Sequence, residues 1–200
     1  MPYFKRLQSL KVEASNVTRL GYFLCCGRVG EVNLSFDNLT KIEGETLKNI
    51  VLDRLVINLP RLTSITNNTF YNIYSCTYID ANMPMLEALG QNVFRECQQL
   101  KELHLNIPKV KSQSYSVYNN GNLRICHLKG MQCSFNIGSL RLEIGSVKYM
   151  LDNCQAREDG ASYTLSLNAN VKASFLAKCD EDAEYAASLA SANAKGLTIA

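Results

Sequence analysis

Residues 94–108 read Phe94-Arg95-Glu96-Cys97-Gln98-Gln99-Leu100-Lys101-Glu102-Leu103-His104-Leu105-Asn106-Ile107-Pro108. The apolar residues Leu100, Leu103 and Leu105 end in strict alternation, which is the signature of a short strand with one face turned inward. Pro108 has no N–H to give to a ladder, so the frame Asn106-Ile107-Pro108 places the exit from the strand just beyond Leu105. One such strand cannot bury its own apolar face. It needs a neighbour of the same shape.

The neighbours are in the sequence on both sides. The spacing apolar-x-x-apolar-x-apolar recurs as Leu7/Leu10/Val12, Val29/Val32/Leu34, Leu52/Leu55/Ile57 and Cys76/Ile79/Ala81. After Leu100/Leu103/Leu105 it returns as Leu123/Cys126/Leu128 and Ile137/Leu140/Leu142, the copies stepping by 22, 23, 24, 24, 23 and 14 residues. A second apolar pair follows in the earlier copies (Val17/Leu20, Leu39/Ile42, Leu62/Ile65, Leu86/Leu89), reduced to Val110 in the fifth. Asn58-Leu59-Pro60 and Asn82-Met83-Pro84 repeat the Asn-x-Pro frame, and Phe23, Phe70 and Phe94 close several copies. Near-constant phase makes each copy one rung of a stack that shares a continuous core. The spacing predicts a parallel sheet of about seven short strands centred on 10–12, 32–34, 55–57, 79–81, 103–105, 126–128 and 140–142. Irregular turns or short helices are expected on the opposite side, and a side-chain ladder along Asn58, Asn82 and Asn106.

Beyond Ile144 the repeat stops. Ser146 is a candidate N-cap for a helix through Cys154, with Val147, Met150, Leu151 and Cys154 on one face. Gln155 to Ala161 reads as a loop, and Ser162 to Leu167 alternates as a strand. Val171, Phe175, Leu176 and Cys179 lie at helical spacing, and Asp180 can cap an Ala-rich run from Glu181 to Ala194. Gly196 then ends the helix before a last short strand, Leu197 to Ile199. The fold class is therefore α/β: a leucine-rich-repeat solenoid over residues 1–145, with a helix–strand–helix–strand capping module over 146–200. Such a cap is expected because a terminal rung otherwise exposes core and edge.

The frame Phe94-x-x-Cys97-x-x-Leu100-x-x-Leu103-x-Leu105-x-Ile107-Pro108 resembles the BspA-like leucine-rich repeats of bacterial surface proteins over residues 4–145, the fourth and fifth copies most closely. The sixth departs from it, with Gly130-Met131 in place of the apolar-Pro pair, and the seventh is truncated. The tail, from Ser146-Val147-Lys148-Tyr149-Met150-Leu151 to Gly196-Leu197-Thr198-Ile199-Ala200, is similar to a module that closes repeat proteins of gut bacteria and of phage and prophage tails. The resemblance implies a recognition role on a bacterial cell surface or a virion, without catalysis.

Composition agrees with a folded recognition module. A net charge of +3 with no basic cluster argues against a nucleic-acid partner, and no stretch approaches the length of a membrane span. The first seven residues hold no apolar run of signal-peptide type, and the chain starts within a repeat, which suggests a longer parent chain or an oligomer covering that rung. The eight cysteines, at 25, 26, 76, 97, 126, 133, 154 and 179, sit mostly at apolar phases and are expected as unpaired core thiols. Sequons at Asn16, Asn33, Asn38 and Asn67 are expected to reflect the Asn/Thr-rich repeat rather than glycosylation.

The outward strand positions are the candidate site. Arg54, Tyr78, Asp80, Glu102, His104, Ile125, His127 and Arg141 should line a concave face suited to a protein or a cell-surface glycan. In register, Asp80, His104 and His127 fall in one column, with Asp80 favouring charge on His104 and the two imidazoles titrating together. That column also supports an alternative, a metal-dependent hydrolase, while a third possibility is a purely architectural oligomeric virion component. No nucleophile elbow, phosphate loop or dinucleotide fingerprint is present, and Cys126 and His127 point to opposite faces of a strand, so no enzyme activity and no resident cofactor or metal is expected.

Overall fold

In a computed structural model, residues 7–21, 28–44, 46–114, 116–117 and 119–200 are described. Cys25, Cys26 and Phe23 lie outside them. The first wall of the solenoid is a parallel six-stranded sheet of β1 (Leu7–Glu13), β3 (Arg28–Ser35), β5 (Val51–Asn58), β7 (Tyr78–Asn82), β9 (Glu102–Asn106) and β11 (Ile125–Lys129), in that order. Between consecutive members the chain runs back through the second wall: β2 (Arg19–Leu20), β4 (Lys41–Ile42), β6 (Ser64–Ile65), β8 (Ala88–Gln91) and β10 (Ser112–Ser114), also parallel. The return side is thus a second sheet of very short strands, not helices. A return leg carries one apolar pair between two tight turns, too few residues for a helix to bury a stripe.

The phase deduced from the trios is the register found. Val32 lies opposite Leu55, Leu55 opposite Ile79, Ile79 opposite Leu103 and Leu103 opposite Cys126. All five point into the core and are fully buried. From the second wall Leu39, Ile42, Leu62, Ile65, Leu86, Leu89 and Val110 meet them, so the two walls share one apolar interior. Phe70 and Phe94 stack within it, centroids 5.3 Å apart.

The turns are ladders too. Leu59 N–H donates to Asn82 O (2.9 Å) and Met83 N–H to Asn106 O (3.0 Å), carrying the sheet past its last strand residue to the prolines. Alongside, Asn106 Nδ2 donates to Asn82 Oδ1 (2.7 Å), Asn82 Nδ2 to Asn58 Oδ1 (2.8 Å) and Asn58 Nδ2 to Ser35 Oγ (3.2 Å), which is the expected asparagine ladder. On the other turn Asn49, Asn72, Glu96 and Asn119 all have φ between 54° and 63°, a left-handed geometry that asparagine tolerates better than most residues. Much of the asparagine in the sequence answers these two turns.

The seventh rung does not form. Ile137, Leu140 and Leu142 are buried, yet residues 140–142 are not a strand. Only 14 residues separate this copy from the sixth, too few to complete a circuit of both walls. The exposed edge of β11 is covered instead by α1 (Ile144–Asp152). Ser146 is not the N-cap; that place is held by Glu143, without a side-chain cap bond. Ser146 lies buried inside the helix, where its Oγ accepts the N–H of edge residue Cys126 (3.1 Å) and donates to Arg124 O (3.4 Å). The helix satisfies the sheet edge, which outweighs capping itself.

A third parallel sheet follows, of β12 (Phe135–Asn136), β13 (Tyr163–Ser166) and β14 (Leu197–Ile199), with α2 (Ala169–Glu181) and α3 (Ala183–Ala194) between its last two strands. Gln113 Nε2 donates to Ser134 O (2.8 Å), tying the end of the second wall to this sheet through a side chain. The helical stretch is broken at Asp182, not Asp180. Asp182 Oδ1 accepts Glu184 N–H (3.0 Å) and caps α3, while Asn168 caps α2. Phe175 is buried, but Leu176, expected on the same face, is exposed. At the other end β1 lacks an outer neighbour among the described residues, so Leu10 and Val12 are half-buried where Val32 and Leu34 are sealed.

Two expectations follow from this packing. Gly130 has φ +80°, and a Cβ there would sit 2.5 Å from Pro108 Cα, which explains why this rung abandons the apolar-Pro pair. Gly130→Ala should cost about 2 kcal/mol or more in urea unfolding, since the strain and the backbone clash coincide. Cys76, Cys97, Cys126, Cys133 and Cys154 are buried and unpaired, and desolvation pushes the first four up to about 12. In native protein at neutral pH an aromatic disulfide reagent should therefore react first with Cys179, the least buried of the described thiols. Denatured, unreduced protein should titrate the other five as well.

Candidate functional site

The pleat that sends each trio inward turns three rows of side chains outward across the long sheet. One row runs Ser9, Glu31, Arg54, Tyr78, Glu102 and Ile125. The next runs Lys11, Asn33, Val56, Asp80, His104 and His127, and the third carries the asparagine ladder to Lys129. Neighbours in a row are separated by one strand spacing, about 4.8 Å. Seven of the eight residues proposed from the sequence lie on this face: Arg54, Tyr78, Asp80, Glu102, His104, Ile125 and His127. All seven are half-buried by their neighbours.

Arg141 is the exception. It was placed by the phase of a seventh rung, and that rung does not form. The side chain is exposed and lines a cleft with Ile144, Asn168 and Val171, on the helical side of the molecule.

The face is held by ring contacts. The Arg54 guanidinium lies 3.6 Å from the centre of the Tyr78 ring, a contact worth about 0.5–1 kcal/mol at an exposed site. Tyr78 and His104 follow at 5.3 Å, His104 and His127 at 4.8 Å edge-to-face, and His127 and Tyr149 at 3.9 Å stacked. A chain of five side chains thus crosses from β5 to α1. Tyr149 was not recognisable as part of this face, because it lies on a helix outside the repeat phase. Its only sequence signal was an aromatic at the centre of that helix.

Asp80, His104 and His127 are side by side, as the column required. The carboxylate in ion-pair range of His104 is nevertheless that of Glu102, whose Oε2 is 3.5 Å from Nε2. Glu102 stands two residues back on the same strand and face. The two imidazoles lie edge-to-face, and no group of three His, Cys, Asp or Glu side chains among the described residues could hold a metal ion. The metal-dependent hydrolase reading of Asp80, His104 and His127 therefore loses its metal site. Beside the face, Lys101, Glu102, Arg124, Ile125 and Glu143 line a cleft of about 370 Å³ with charges of both signs. No helix among the described residues is long and apolar enough to cross a membrane.

A family model described as BspA type leucine-rich repeat region matches residues 7–139 as six copies. Neither the curated proteins nor the solved structures contain a significant match. Six copies agree with the six strands of the long sheet.

Burial of His127 between His104 and Tyr149 lowers its affinity for a proton; desolvation is the main cause, repulsion from His104 adds to it, and Glu102 opposes it. With the folded-state value depressed below 6.5, the unfolded chain takes up this proton first as pH falls. The stability that neutral His127 contributes is then present above about pH 6.5 and lost as pH drops through the folded value. Chemical denaturation between about pH 7.5 and 5 should show wild-type stability falling more steeply than that of His127→Gln. Equal slopes would place His127 in water.

Proposed function

Because the chain belongs to the BspA-type leucine-rich-repeat family, whose repeats serve protein interaction and are typical of surface proteins, we propose that it is a recognition segment without catalysis. It binds a protein partner through the outward face of the long sheet. The carrying observation is the rigid strip Arg54–Tyr78–His104–His127–Tyr149. Arginine and tyrosine are the residue types that most often dominate protein interfaces, and here their ordering entropy is already spent within the free molecule. A broad sheet face presents this strip without enclosing it, as suits a macromolecule better than a small substrate.

The settings that fit such a segment are a bacterial surface adhesin or a phage tail fibre. In this reading residues 146–200 close the solenoid over residues 1–145: α1 packs on the edge of β11, and β13 and β14 pair with β12 in a separate sheet. In a longer or oligomeric assembly the half-exposed first rung is covered by a further rung or subunit.

Fluorescently labelled protein should bind bacterial or host cells saturably, and protease treatment of the cells should abolish binding. The double variant Arg54→Ala/Tyr78→Ala should weaken it about tenfold or more while keeping the native unfolding midpoint within a few degrees. Binding that survives protease, or that ignores the double variant, would move recognition to a glycan or off this face.

A further inference from the structure

A second site lies where the chain turns into the long strands, away from the outward rows. The turn before β5 reads Asn49-Ile50-Val51-Leu52, and the one before β7 reads Asn72-Ile73-Tyr74-Ser75-Cys76. Asn49 and Asn72 are equivalent, since Asn49 N–H donates to Tyr71 O and Asn72 Nδ2 to Asn49 Oδ1 (3.0 Å). Between that asparagine and the first residue of the trio the later copy holds one residue more. Ser75 absorbs it with φ 64°. The long wall narrows at the same place: β3 and β5 have eight residues, whereas β7, β9 and β11 have five. Tyr74 retains a single bridge to Val51, and the residue is 48% exposed.

The next copy repeats the longer turn as Glu96-Cys97-Gln98-Gln99-Leu100. Tyr74-Ser75 and Gln98-Gln99 therefore line one cleft of about 340 Å³, together with Tyr71, Asn72, Ile73 and Glu96. That volume lies at the lower end of the range for small-ligand sites, about 300–1,000 Å³.

Glu96 is the informative residue. The equivalent left-handed position is asparagine in three other copies, at 49, 72 and 119. Glutamate tolerates φ 63° less well than asparagine, so the fold alone does not ask for it. It keeps the ladder's acceptor role, taking a hydrogen bond from Asn119 Nδ2 (2.8 Å) through Oε1. Its Oε2 accepts from Gln98 Nε2 (3.5 Å), which orients that amide in the cleft wall. Its charge is met by Arg95, whose Nε is 3.4 Å away. The carboxylate acts here as a hydrogen-bond acceptor whose charge is already balanced.

We propose that this cleft binds a saccharide, as a subsite for one ring of a glycan. Tyr74 supplies a flat apolar platform for the C–H face of a pyranose. Asn72 Nδ2 donates to its hydroxyl (2.8 Å), which fixes the ring in place. The neighbouring Tyr71 is less available, because the Lys48 ammonium lies 5.7 Å from its ring centre. Gln98, Gln99 and Ser75 offer donors and acceptors together, matching hydroxyl groups that both give and take hydrogen bonds. A quaternary ammonium would ask for an unbalanced carboxylate and an aromatic cage; the cleft has one exposed ring and a paired acid. The site is separate from the protein-binding face, and either can fail without the other.

The test uses the full chain, labelled with nitrogen-15 and titrated with methyl glycosides of glucose, galactose, mannose and N-acetylglucosamine, and in parallel with choline chloride. At least one glycoside should shift amides in 71–75 and 96–99 saturably, with a dissociation constant of about 1 mM. Tyr74→Ala should weaken this about tenfold, while Tyr74→Phe, which keeps the ring, should stay within about twofold. Glu96→Gln, which keeps an acceptor oxygen, should leave a weakened but measurable response. No saturable response to any of the four sugars would overturn the proposal, as would shifts that map elsewhere or persist undiminished in folded Tyr74→Ala. A response to choline alone would assign the cleft to a cation instead.

Discussion

Every rung of this molecule depends on stacking in register with the next. A parallel ladder with period-two side chains cannot slip by one residue without turning its core side chains into water. Three sets of contacts hold the phase together: the apolar trios inside, the Asn58–Asn82–Asn106 ladder on one turn, and the left-handed turn built on Asn49, Asn72, Glu96 and Asn119. An amide ladder in a half-buried place carries particular weight, because a slipped rung leaves several donors without acceptors, at about 1–3 kcal/mol each where water cannot replace them.

The same constraint makes the surface. Residues a full repeat apart in sequence become neighbours one strand spacing apart, so rows of side chains form without any residue having been selected for a pocket. Arg54, Tyr78, His104 and His127 are joined this way, and the contact that completes the strip comes from Tyr149 on the covering helix. Where one residue is added to a turn, the regular surface breaks. The Ser75 insertion narrows the long wall and opens the cleft beside Tyr74.

A stack must also end. At the C-terminal side two residues do this: Gly130 replaces an apolar residue so that the chain can pass close to Pro108, its N–H donating to Asn153 O (2.8 Å) at the end of α1, and Ser146 spends its hydroxyl on the edge of β11. The helix takes the place of a rung. Its polar groups serve the sheet before they serve the helix.

What the amino-acid order determined by itself was the part governed by period. The phase of six rungs, the inward trios of the second to sixth copies, the prolines just past the strands, the asparagine ladder and the unpaired core thiols among the described residues all follow from spacing, because a repeated pattern is read several times; in the first copy Leu7 is exposed. Tertiary structure decided what happens once only. That α1, and not the short copy Ile137–Leu142, covers the edge of β11 is one such outcome, and with the seventh rung went the position of Arg141. That Ser146 serves Cys126, that Glu102 and not Asp80 pairs with His104, and that Tyr149 closes the strip are contacts between elements without a common period. The return wall became a sheet and not helices because the rungs already held in register by the long strands bring its two- to four-residue segments side by side, where their backbone groups can pair with one another.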